Sequence, residues 1–179
     1  VDRYDDIPTE FITEIRKMWL VYAGESHSGA IREGLALLEV SYPTYSVSIM
    51  DNGTPETYTT SNLRASRGTW GDLNHSSGWI YDYGEEDWFT SILAKTRTKA
   101  GITYCNTHSL IIAAFGLGWC WDEGVSVYDY ITATQEYINH CSTNGYPTKV
   151  FFTTGPVDSY SAEVGYSKYV DYESIRTYV

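Results

Sequence analysis

The spacing of apolar positions along this chain switches between helical and strand-like periods. From Pro8 to Lys17, Phe11, Ile12 and Ile15 recur at helical intervals, which predicts a short helix with one apolar side. Met18 to Ala23 is a compact apolar run, short enough for a buried parallel strand. Gly24 to Ser28 reads as a tight polar turn. From Ala30 to Glu39 the helical period returns, with Ile31, Leu35 and Leu38 on one stripe and Gly34 beside it. Tyr45 to Met50 alternates in the manner of a strand, and Asp51-Asn52-Gly53-Thr54 has turn chemistry. Pro55 to Asp87 shows no strong period. It is dense in Gly, Ser, Asn and Trp and is expected to form long loops with short helices, segments that often carry function.

Asp87 to Lys99 is helical in pattern through Trp88, Ile92, Leu93 and Thr96. Ser109 to Phe115 has the most continuous apolarity and is expected as a central strand. Val125 to Cys141 predicts a helix with Tyr130, Thr134, Tyr137 and Ile138 on one face, Thr148 to Thr153 another strand, and Gly165 to Val179 a final helix. Strands alternating with amphipathic helices predict the α/β class: a three-layer α/β/α sandwich around a parallel, flavodoxin-like sheet, forming one domain over residues 1–179. Ligands of such sheets bind at the carboxyl ends of the strands. Three polar, Gly-bearing segments are expected there: Gly24 to Ser28, Gly116 to Asp122, and Thr153 to Asp158.

Composition narrows the function classes. The chain has 179 residues, 42% hydrophobic and 20% charged, enough to bury a core and unlike a disordered tail or a coiled coil. No apolar run approaches the roughly 20 residues of a membrane-spanning helix. Twelve basic residues stand against 23 acidic ones, a net charge of −11, with no Lys/Arg cluster to displace counterions. Nucleic acid and anionic membrane are therefore set aside as partners, while a neutral substrate and an extracellular setting fit. Seventeen Tyr and six Trp suit stacking on sugar rings, and equally a Tyr-rich core. Cys105, Cys120 and Cys141 fall in no metal-binding spacing; they allow one disulfide with one thiol left over, or free buried thiols. No metal or cofactor is expected.

A Ser between a strand end and a helix start gains from the helix dipole and from free backbone N–H groups. Ser26 and Ser28 occupy such a place, either as helix caps or, for Ser26, as a nucleophile. The block from Met18 to Ser28, an apolar strand followed by Gly24-Glu25-Ser26, resembles the first block of the SGNH (GDSL-type) hydrolases. With Gly118-Trp119-Cys120-Trp121-Asp122 and Thr153-Thr154-Gly155-Pro156-Val157-Asp158, the chain is similar to secreted bacterial members of that superfamily from about Pro8 onward. The family's Asp is Glu25 here.

The resemblance implies an ester hydrolase with Ser26 as nucleophile, acting on a small-molecule or glycan ester. It implies an oxyanion-hole Gly after the second strand, Gly71 or Gly68, and a further donor near Gly118, where the family's Asn is replaced. Asn74 and Asn106 are available by type to substitute. Glu25, His27, Trp119 and Trp121 are the candidate substrate-contacting residues, although Trp119 and Trp121 also suit simple packing. The family's Asp-x-x-His near the C-terminus has no counterpart at that place. Asp72-Leu73-Asn74-His75 has the spacing but lies in the second-block loop. His140, near a helix C-terminus, reads as structural, and His108 falls at the wrong end of its strand. Two expectations follow: a domain trimmed before its last strand and catalytic dyad, or a catalytically silent carbohydrate-binding or structural relative.

Overall fold

Four residues without a charge, Trp19–Tyr22, form β1, and three of their side chains are buried, Trp19 to 1%, Val21 to 0% and Tyr22 to 3% exposed. Burial on both faces is the signature of a central parallel strand. In the computed structural model, which describes residues 6–22, 26–50, 61–67, 87–107, 115–121, 126–154, 170, 171 and 173–177, β1 is flanked on both edges. It pairs in parallel with β3 (Leu63–Arg67), Trp19 opposite Arg64 and Tyr22 opposite Arg67. On its other edge it pairs in parallel with β4 (Phe115–Trp121), Trp19 opposite Phe115 and Tyr22 opposite Gly118. β2 (Val47–Met50) lies outside β3, and β5 (Lys149–Thr154) outside β4, giving the all-parallel order β2-β3-β1-β4-β5.

The chain is thus α/β, with more helix than strand. Among the described residues the helices include α1 (Thr9–Ile15), α2 (Ser26–Ser41), α3 (Asp87–Thr90), α4 (Ile92–Thr107) and α5 (Val127–Asn144), and residues 170, 171 and 173–177 are helical within the expected final helix, whose other residues lie outside the described ones. A flavodoxin-like sheet runs 2-1-3-4-5. Here the run β3-β1-β4-β5 has the pattern 2-1-3-4, and β2 is an additional strand on its outer edge.

Two strands depart from the sequence pattern. β3 lies inside the segment expected to be loops. Its sequence, Leu-Arg-Ala-Ser-Arg, shows no apolar alternation, yet Arg64, Ala65 and Ser66 are all buried. Ser66 can be buried because its hydroxyl accepts a 2.8 Å hydrogen bond from the Trp19 indole N–H. Of the strand expected over Ser109 to Phe115, Ser109 to Ala114 lie outside the described residues; β4 takes up Phe115 and continues through Gly116 to Trp121, where a loop was expected. Gly116 and Gly118 read as loop residues in sequence, but in the sheet they stand opposite Leu20 and Tyr22. Glycine in a strand marks close approach of another element, and α2 packs against β4 as well as β2 and β3.

The helices show the same mixture. α5 carries the predicted face: Tyr130, Thr134 and Tyr137 are fully buried, Cys141 extends the stripe, and Ile138 sits at its exposed margin. Its ends are set locally. Ser126 Oγ accepts from Asp129 N–H at the N-cap, and Gly145, at φ +67°, closes the C-terminus while Tyr146 N–H reaches the Cys141 carbonyl. The helix predicted over Asp87 to Lys99 is two helices, interrupted at Ser91, whose hydroxyl accepts from Ala94 N–H. The buried face of α4 is Ala94, Thr98, Ile102 and Cys105, whereas Ile92 and Leu93 face solvent at 79% and 53% exposure. Phe89 of α3 meets Tyr130 edge-on, with centroids 5.1 Å apart. On α2, Ile31 is 38% exposed while Arg32 is buried, so the inward stripe is turned by about one residue from the predicted one.

The Trp19–Ser66 bond gives a direct stability test. Trp19→Phe keeps most of the ring but strands the Ser66 hydroxyl, and is expected to cost about 1–3 kcal/mol in urea unfolding. Adding Ser66→Ala removes the orphaned group, so the double variant should lose less than the sum of the two single variants.

Candidate functional site

The connections set the place where a ligand can bind. The chain leaves β1 through α2 toward β2, and leaves β4 through α5 toward β5, in opposite directions across the sheet. β1 and β4 are neighbours, so their carboxyl ends bound the crevice expected at a topological switch point. The two strands end unevenly. Tyr22, the last residue of β1, is opposite Gly118, while Trp119, Cys120 and Trp121 run on against Phe152, Thr153 and Thr154 of β5.

Ser26 is the first residue of α2, on the short connection from the end of β1. The first N–H groups of a helix have no intrahelical acceptor and carry a partial positive charge. α2 has 16 residues and no acidic residue in its first turn to neutralise that end. Cap and nucleophile draw on these same donors. His27 follows as the second residue of α2. Glu25 lies outside the described residues, as do Gly68, Gly71, Asp72, Asn74, His75 and His108. Arg67 ends β3 level with Tyr22, and Gly68 is the next residue in sequence, so the chain leaves β3 toward both candidate glycines at the edge where β1 ends.

The third group of candidates needs correction in its placement. Gly118, expected in a loop beyond the central strand, is inside β4 between Tyr22 of β1 and Phe151 of β5. Backbone groups at such a position belong to the ladder. Trp119 and Trp121 are likewise strand residues, in the overhang past β1. Asn106 is occupied elsewhere: its amide donates to the Ile102 carbonyl at 2.7 Å and to Thr148 Oγ1 at 2.9 Å, tying α4 to the approach to β5. What the sequence did not reveal is β3, the neighbour of β1 that immediately precedes the candidate glycines in sequence. Its signal was masked by two arginines and a serine.

The cysteines resolve in part. Cys105 and Cys141 are free and buried thiols, both with pKa raised by burial, that of Cys141 to about 11. Neither is poised as a nucleophile, since the reactive form is the thiolate. Among the described residues no group of three His, Cys, Asp or Glu side chains could hold a metal ion, and no helix is long and apolar enough to cross a membrane.

His140 belongs to the contact between α5 and α4. It lies near the C-terminal end of α5, which leads into the start of β5, at the opposite edge of the sheet from Ser26. Its Nε2 is 2.9 Å from Thr103 Oγ1 of α4, and its ring meets Tyr146 edge-on. Burial, helped by the nearby Lys99 charge, lowers its pKa. One turn earlier, Glu136 bridges Lys95 and Lys99 of α4 at 3.1 Å each. Burial opposes ionisation of Glu136, but hydrogen bonds and charge from Lys99 and Lys95 prevail and hold its pKa below the usual glutamate value.

Comparison with family models, with curated proteins and with solved structures returned no match to this chain.

Glu136 and His140 act in one direction. The folded state binds their protons more weakly than the unfolded chain does, so stability is lost as pH falls through the lowered values. His140 should titrate below about 6.5 by NMR. Glu136→Gln should lower the urea midpoint at pH 7, with the deficit vanishing as acid protonates the wild-type carboxylate.

Proposed function

We propose that this chain is a serine hydrolase of the SGNH type that cleaves an acyl ester borne by an extracellular glycan. The observation that carries the reading is the position of Ser26, which opens α2 on the connection from β1, at the switch point with β4. Within the reading, the sheet and its helices form a three-layer α/β/α sandwich whose β3-β1-β4-β5 core corresponds to the flavodoxin-like order.

Ser26 Oγ attacks the ester carbonyl as its proton passes to a base. The oxyanion of the tetrahedral intermediate is held by the Ser26 N–H, at the positive end of α2, and by the N–H of a glycine that follows β3 in sequence, Gly71 or Gly68. A third donor belongs at the end of β4. The C–O bond to the alcohol then breaks, the alcohol departs with the proton, and water releases the acid from the acyl-enzyme. The reading needs a base and an orienting acid within reach of Ser26. Glu25, His27, Trp119 and Trp121 border the substrate.

A second reading has its own support. Trp119 and Trp121 occupy alternate positions of the β4 overhang, at the same crevice. Aromatic residues there suit a sugar-binding surface without catalysis.

A fluorophosphonate probe on the longest natural form of the chain separates the two. Labelling that maps to Ser26 by mass spectrometry and disappears in Ser26→Ala is the result expected of the hydrolase. A folded, unlabelled protein that binds immobilised glycans would replace that reading with the binding one.

A further inference from the structure

At the opposite edge of the sheet, where the strands begin, α1, α2 and the approaches to β2 and β3 enclose a cavity of about 140 Å³. Aliphatic side chains from three elements line it: Ile12 and Ile15 of α1, Leu35 and Leu38 of α2, and Leu63 of β3. Of these only Ile12 is fully buried; the other four keep part of their surface uncovered. Apolar surface left facing water is unfavourable, and an apolar body that fills the space relieves it. The cavity is reachable from solvent, because Ile7 and Ile15 in its wall are 39% and 37% exposed.

Hydrogen bonds between elements hold these walls in place. Arg16, the residue that closes α1, donates from Nη2 to the Thr44 carbonyl at 2.6 Å and fastens α1 to the turn after α2. Leu63 N–H donates to the Ser46 carbonyl at 3.0 Å, and Ser46 Oγ to the Ser61 carbonyl at 3.1 Å, which fastens the start of β3 to the approach to β2. Walls tied in this way lose little freedom on receiving a guest. The same bonds leave the lining with little to offer a polar ligand. The Thr44 and Ser46 carbonyls and the Ser46 hydroxyl are already engaged, and Arg16 Nε is shielded from solvent. A polar or charged molecule that entered would give up its hydration without gaining new partners.

We infer that this cavity binds a small neutral hydrocarbon, a ring or branched chain of about six carbons, held against Ile12, Leu35 and Leu38. Aliphatic cavities near this volume stay dry and take up benzene. Volume sets the size of the guest, and the engaged polar groups of the wall select against charge and hydrogen-bonding capacity. The site lies at the other edge of the sheet from Ser26 and does not depend on the hydrolase reading.

Benzene and pyridine, which share a shape and differ by one hydrogen-bond acceptor, test the inference without any substitution when titrated separately into ¹⁵N-labelled protein. The expected result is saturable benzene shifts in the amides of α1 and of Leu35 to Leu38, with pyridine at least tenfold weaker. Leu35→Phe, which fills the cavity, should weaken benzene at least tenfold while distant amide signals stay in place. Leu38→Phe fills it from the neighbouring turn of α2 and serves the same purpose if the first variant does not fold. Absence of saturable shifts around the cavity, equal affinity for the two probes, or undiminished benzene binding in a folded filled variant overturns it.

Discussion

The pairing of β1 on both of its edges is the constraint from which the rest of the structure follows. Every residue from Trp19 to Tyr22 has a partner in β3 and another in β4. The indole of Trp19 adds a side-chain link to Ser66, two residues past its direct partner. With β1 fixed, α2 must leave from its carboxyl end and return to β2, and the later helices must serve the β4 side. The crevice between β1 and β4 is a product of that division.

The legible parts of the fold were those in which burial is achieved by apolar side chains. β1 is a bare apolar run, and α5 presents Tyr130, Thr134 and Tyr137 at helical intervals to the core. β3 was hidden because its buried positions are Arg64, Ala65 and Ser66, and a Ser bonded to an indole is polar in sequence but satisfied in the interior. α4 misled in the opposite sense. Its inward face is made of small or weakly polar residues, Ala94 and Thr98 with Ile102 and Cys105, while Ile92 and Leu93 point to water. Thr98 tolerates burial because its hydroxyl bonds back to the Ala94 carbonyl at 2.9 Å. The end of β4 was misplaced for a related reason. Glycine signals a loop only where no neighbouring strand takes up its backbone groups, and β1 and β5 both do so here.

The site was legible to a lesser degree. Local pattern expected Ser26 in a turn before a helix starting at Ala30, whereas the structure makes it the first residue of a helix that begins four residues earlier and takes in His27 and Ser28. Which strand ends lie beside it is a matter of sheet order, and sheet order is written in long-range pairing that no local period reports. Thus Gly118 moved from a loop into the ladder, and Asn106 into the link between α4 and Thr148. The two edges of the sheet also differ in kind. The carboxyl edge presents helix N–H groups and the overhang of β4. The amino edge presents a mostly apolar hollow between α1, α2 and the starts of β2 and β3.

The double pairing of β1 also sets an order on synthesis. Its first neighbour, β3, follows within a short stretch, but the second, β4, begins only at Phe115. At roughly 5–20 residues per second, the chain from Ala23 to Ala114 occupies the ribosome for about 5–20 s. Throughout that interval an apolar strand lacks its β4 neighbour, and until β3 is made it lacks a neighbour on either edge, a ready template for association with other nascent chains. The arrangement that anchors the finished sheet is thus the one that makes its newborn form dependent on shelter.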